Sequence, residues 1–155
     1  MRGRLTAIGI AVLVAAGAVA GLASVAASKP SAAATVKIRS TKLGKILVDA
    51  KGRTLYLFEK DKHGKSACSG ACAANWPPLL TTGKPKAGTG ARASKLGTTK
   101  RSDGKTQVTY GGHPVYRFIL DKNKPGSTKG EGVDAFGAEW YVLGANGRKI
   151  EKEGS

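Results

Sequence analysis

The chain is 155 residues long and carries 26 Lys or Arg against 10 Asp or Glu, a formal net charge of +16 with an isoelectric point near 10.2. A charge of this size draws a protein to anionic polymers or keeps it soluble by self-repulsion, and it dictates no fold. The only cysteines are Cys68 and Cys72, which excludes a c-type haem, for which no C-x-x-C-H is present, and a lipid anchor on a cysteine at the end of the N-terminal apolar run.

In chain order, residues 1–34 read as an export segment. Arg2 and Arg4 supply a positive start, no charge follows from Leu5 to Ser28, and small-residue cleavage sites stand at Val25-Ala26-Ala27 and Ala32-Ala33-Ala34. The apolar run is long enough to span a bilayer if it is retained as an anchor. It consists mostly of Ala, Gly and Val, however, so cleavage is the expectation, with membrane attachment only if the segment stays. The address is then secreted or cell envelope. The remaining 23 basic and 10 acidic residues, a net of +13, point to anionic envelope polymers or lipid headgroups as partners and to no specific nucleic acid. Solubility alone is the competing account of that charge. About 120 residues suit a single domain, expected as a monomer over 35–150, with 151–155 a fraying tail.

Thr35-Val36-Lys37-Ile38-Arg39 alternates apolar and basic residues and predicts a first strand. Next comes the stretch that occurs twice. Gly44 to Lys62 and Gly104 to Lys122 align without a gap and share Gly44/Gly104, Lys45/Lys105, Val48/Val108, Gly52/Gly112, Tyr56/Tyr116, Phe58/Phe118, Asp61/Asp121 and Lys62/Lys122. Each copy predicts a β-hairpin, with Gly52 or Gly112 supplying the positive φ of the turn and a β-rich strand after it. Residues two apart on a strand share a face, so Tyr56 and Phe58 project together, as do Tyr116 and Phe118. These four are expected in the core. Asp61 and Asp121 fall just past their strands and are expected to close turns with ionised carboxylates of lowered pKa.

Between the copies, Lys65 to Leu80 contains Cys68 and Cys72 in C-x-x-x-C spacing. In an oxidising compartment a short structural disulfide is the default. A redox pair, which usually has C-x-x-C spacing, and a metal site drawing in His63 and Asp61 remain alternatives. Trp76-Pro77-Pro78-Leu79-Leu80 is expected to fold back as an apolar plug. Residues 81–103 are basic and glycine-rich, and predict a flexible linker. Its Lys84, Lys86, Arg92, Lys95, Lys100 and Arg101 are the candidate polyanion contacts. After the second copy, Asn123 to Gly137 predicts a long loop that lacks the ligands of a calcium site. Glu139 to Leu143 is a last strand, and Ala145-Asn146-Gly147-Arg148 a turn.

The fold class expected is therefore all-β, one small domain built from repeat units of about 44–80 and 104–143. The pattern resembles a family of secreted and lipoprotein-type bacterial proteins with a repeated Tyr-x-(Phe/Trp/Tyr)-x-x-Asp motif. The resemblance rests on Tyr56-Leu57-Phe58-Glu59-Lys60-Asp61, Tyr116-Arg117-Phe118-Ile119-Leu120-Asp121, the cysteine loop running into Trp76-Pro77-Pro78-Leu79, Arg101-Ser102-Asp103-Gly104-Lys105, and Trp140-Tyr141. It implies a tandem β-repeat of unknown function. Relatives with a lipid-bearing cysteine differ from this chain. No complete nucleophile–base constellation exists, since His63 and His113 are not equivalent between the copies. A carboxylate pair, Asp61 with Asp121, would lack an evident general acid. The expectation is a non-catalytic envelope or matrix module with no cofactor and no metal. A redox or metal-handling protein built on Cys68 and Cys72 is the alternative.

Overall fold

A computed structural model describes residues 32–151. The expected export segment lies outside the described residues except for 32–34, and so does the tail beyond 151. Among the described residues strands dominate: β1 (Thr35–Thr41), β2 (Gly44–Asp49), β3 (Tyr56–Phe58), β4 (Lys86–Ala87), β5 (Leu96–Lys100), β6 (Thr106–Tyr110), β7 (His113–Pro114), β8 (Val133–Ala135) and β9 (Ala138–Val142), with one short α-helix, α1 (Ala71–Asn75). They form three sheets of order β2-β1-β4, β3-β9-β8 and β5-β6-β7. The all-β expectation holds.

β1 and β2 form an antiparallel hairpin from Val36↔Asp49 to Thr41↔Gly44. β2 then turns back through Gly52, whose φ of 81° only glycine adopts without strain, and Leu55 N–H donates to the Leu47 carbonyl at 3.0 Å. The second copy turns in the same place. Gly111 and Gly112 (φ 59° and 83°) make a two-residue loop, with Tyr110 opposite His113 across β6 and β7. In the first copy only a short stretch of hairpin forms, because β2 takes β1 as its main partner and β3 leaves to pair with β9.

The two repeats are joined backbone to backbone at their motif tyrosines. Tyr56 N–H donates to the Tyr116 carbonyl at 2.8 Å, and Tyr116 N–H donates to the Tyr56 carbonyl at 3.0 Å. Around this pair each repeat lends its last backbone-paired segment to the other. Strand β9 of the second repeat lies against β3 of the first, with Phe58 opposite Trp140. The Pro77–Leu79 segment of the first repeat lies against residues 115–117 of the second. There Leu79 N–H donates to Val115 at 3.0 Å and Arg117 N–H to Pro77 at 2.8 Å.

β3 is buried on both faces, and its alternation divides the interior into two clusters. Tyr56 and Phe58 face Ile46, Val48, Trp76, Tyr116, Trp140, Val142 and the two cysteines. Leu55 and Leu57 face Val36, Leu47, Leu79, Val108, Tyr110, Val115 and Leu143.

Three expectations change. Residues 81–103 are not a flexible linker. Lys86–Ala87 runs parallel to β1, and β5 pairs along its whole length with β6. Backbone hydrogen bonding suffices to order such a segment, and large apolar side chains are not needed. The Asn123 to Gly137 loop contains strand β8, paired with β9. The Trp76–Leu80 plug is a segment with isolated bridges at Pro78 and Leu80, in which Trp76 and Leu79 are buried but Leu80 is 36 % exposed.

Candidate functional site

The motif aromatics build a column of four rings. Phe58 stacks on Trp140 at 4.0 Å, Trp140 on Trp76 at 3.9 Å, and Trp76 on Phe118 at 3.9 Å, all within 17° of parallel. Tyr116 meets Trp140 edge-on at 5.1 Å, and Tyr56 meets Trp76 edge-on at 5.4 Å. Edge-to-face and offset contacts of this kind add to the burial they accompany. The column reads the same from either end, because Trp76-Pro77-Pro78-Leu79 and Trp140-Tyr141-Val142-Leu143 occupy equivalent places. Their shared Trp-x-x-Leu spacing was the available signal for this equivalence, and the nineteen-residue repeat stops short of it. Tyr56, Phe58 and Tyr116 are buried. Phe118 is only half-buried, packed against the core from its edge, so the four positions are not equal in burial.

Each motif aspartate accepts from the other repeat's motif tyrosine. Tyr56 Oη donates to Asp121 Oδ2 at 2.7 Å, and Tyr116 Oη donates to Asp61 Oδ2 at 2.8 Å. The second carboxylate oxygen binds the loop that follows. Asp61 Oδ1 accepts from Ala67 N–H at 2.7 Å, while Asp121 Oδ1 accepts from Lys129 N–H at 3.0 Å and Ser127 Oγ at 2.7 Å. The aspartates therefore do tie down loops, six and eight residues on, and they also clasp the two repeats together.

Burial pushes the Asp61 carboxyl up to about 6, against hydrogen bonds from Ala67 and Tyr116 and the charge of Arg101, which pull it down. The expected lowering is overturned at Asp61, where losing water outweighs neighbouring lysines that remain in solvent. Both phenols are pushed up, chiefly by burial and further by the aspartates they face.

Cys68 and Cys72 are joined, with Sγ atoms 1.97 Å apart, tying the loop before α1 to its first turn. The loop they close is held by Arg101. Its guanidinium donates to the Cys68 carbonyl at 2.7 Å, to Gln107 Oε1 at 2.8 Å and to Ser66 Oγ at 3.0 Å. The Ser66 hydroxyl in turn donates to Tyr116 Oη at 2.7 Å, since the phenol's own proton goes to Asp61. Arg101 is 6 % exposed, which removes it from the candidate polyanion contacts: its fork of donors is consumed by interior oxygens. Lys84, Lys86, Arg92 and Lys100 are exposed and Lys95 half-exposed.

Lys84 and Lys100 line one groove of about 600 Å³ together with Lys65, a residue that sequence inspection passed over because it sits in the cysteine loop. Among the described residues, no group of three or more His, Cys, Asp or Glu side chains is placed to hold a metal ion, and no helix is long and apolar enough to cross a membrane.

No curated protein matches the chain. No solved structure matches it either. One family profile matches it twice, at residues 37–80 and again at 97–144, and its description is a secreted repeat of unknown function. The two matched segments cover more than half of the chain and are the two halves clasped by Tyr56–Asp121 and Tyr116–Asp61. The chain belongs to this family of secreted repeats, as the motif pair suggests.

Proposed function

We propose that the protein is a non-catalytic module of the cell envelope or extracellular matrix that holds anionic polymers on a surface of unneutralised cations. The observation that carries this reading is where the acids go. Asp49, Asp61, Asp103, Asp121, Glu131 and Glu139 all accept hydrogen bonds from the chain itself, and Glu59 and Glu151 pair with Lys149. Acids held this way keep their charge but are anchored on the chain's own donors, and with 23 basic against 10 acidic residues after position 34 the excess of cations sets up a field of one sign that attracts polymers of the other. The motif carboxylates support a structural role over a hydrolytic one. Each is engaged by a tyrosine of the opposite repeat, and Asp121 is 5 % exposed, out of reach of a polymer.

With both sulfurs in one bond, neither is the thiolate that ligates metals or opens disulfides. The redox or metal alternative therefore has less support than polymer binding. The test is a titration of the folded protein with polyglutamate, inorganic polyphosphate and neutral dextran, at low and high salt. Binding to both polyanions that weakens steeply with salt, and none to dextran, is the expected result. Salt-insensitive binding, or none, would overturn the reading.

A further inference from the structure

Strand β5 is the outer strand of its sheet, with β6 between it and β7. Its free side forms one wall of the groove of about 600 Å³, and Gly83-Lys84-Pro85 lies across from it. Three lysines line this groove from three separate segments: Lys65 after the first motif, Lys84 before β4, and Lys100 at the end of β5. All three are exposed, and no carboxylate lines the groove to neutralise them. Thr98, Thr99 and Thr106 also line it. Thr98 is exposed and Thr106 half-exposed, whereas Thr99 is 7 % exposed and its Oγ1 is buried, out of reach of a ligand in the groove.

The character of the lining narrows the ligand. No aromatic ring faces the groove, so there is nothing on which a nucleobase could stack, and stacking is the ordinary means of holding single-stranded nucleic acid. No guanidinium lines it, so the planar two-point grip that suits a carboxylate is missing. Lysine point charges from three segments, with threonine hydroxyls in the same lining, suit phosphates joined by hydroxylated carbon units. We propose that this groove is the binding site for a linear phosphodiester polymer of polyol units, with Lys65, Lys84 and Lys100 taking phosphates and Thr98 and Thr106 meeting the polyol. This rests on the polyanion reading above and gives that reading a place and a ligand class. The competing role for Lys100 and its neighbours is to keep an unpaired strand edge from pairing with another chain.

The experiment compares two variants of equal charge: Lys65→Gln/Lys84→Gln/Lys100→Gln in the groove, and Lys42→Gln/Lys45→Gln/Lys51→Gln on exposed positions elsewhere. The probe is poly(glycerol phosphate), with polyuridylate as the nucleic-acid comparison. The groove variant should lose about tenfold or more in affinity for poly(glycerol phosphate) and the control variant about twofold or less, with both melting like the wild type. Equal losses would place the polymer on diffuse charge and overturn the groove while leaving polyanion binding intact. Wild-type protein that prefers polyuridylate would overturn the ligand class. Wild-type protein that binds polyphosphate but not poly(glycerol phosphate) would overturn the polyol part of the site. If the groove variant aggregates while its affinity is unchanged, edge protection is the role of these lysines and the site is refuted.

Discussion

Asp61→Asn separates the chemistry of the Asp61 carboxyl from its shape. The amide has the form of the protonated acid, so it can keep Ala67 N–H as a donor and offer its own N–H to the Tyr116 oxygen. Burial raises the Asp61 carboxyl from 3.8 to about 6. A group whose pKa is higher in the folded than in the unfolded chain binds its proton more readily when folded. Between these two values stability therefore falls as pH rises, and above about 6 the full cost of the charge is present. Two pKa units correspond to about 3 kcal/mol. Because Asp61 is still partly open to solvent, screening reduces this to roughly 1–2 kcal/mol. Urea denaturation of both proteins from pH about 4 to about 7 reads the difference directly. The two should match near pH 4, and Asp61→Asn should become the more stable by that amount near pH 7. If the wild type instead gains on the variant as pH rises, the carboxylate is stabilised by its partners more than it is penalised by burial, and the argument fails.

Three further outcomes follow from the packing. Trp76→Ala or Trp140→Ala opens the centre of the ring column and should cost about 3–5 kcal/mol in chemical denaturation, whereas Phe118→Ala at the half-buried end should cost less. Alkylation without reductant should add no label at Cys68 or Cys72, and reduction should lower stability by about 2 kcal/mol, the closure entropy of so short a loop. Gly111→Ala puts a methyl group 2.7 Å from the Gly147 carbonyl oxygen on a backbone of positive φ, so it should destabilise by more than about 1 kcal/mol and lower the melting temperature.

What could be read from the sequence was local. Gly52 and Gly112 marked both turns, because a positive φ leaves its signature in a single residue. The alternation of Tyr56-Leu57-Phe58 identified a strand, although not one buried on both faces. The clasp between Tyr56 and Asp121 was illegible: it joins residues 65 positions apart, and nothing near either one names its partner. Arg101 looked like one more surface cation because sequence shows charge and not enclosure. Its three interior acceptors come from Ser66, Cys68 and Gln107, two of them across the linker. The same blindness misjudged residues 81–103, where few apolar side chains suggested mobility while the strand edge offered by β6 supplied order. At Asp61 the nearby lysines were visible and the burial was not, and burial proved the larger effect.

The loan of a final paired segment from each repeat to the other has a consequence for ancestry and for folding. In a solenoid, a unit can fold and then template its neighbour. Here a lone unit would lack the segment opposite its Tyr-x-Phe stretch, half of its ring column and the acceptor for its phenol. Two separate copies would supply all three to each other by the same contacts in both directions, which is the geometry of an isologous dimer. The molecule has the form of such a dimer fused into one chain. A half-length chain ending near Leu80 should accordingly be unfolded at low concentration and assemble in pairs when concentrated, with its stability set by how much of it is present.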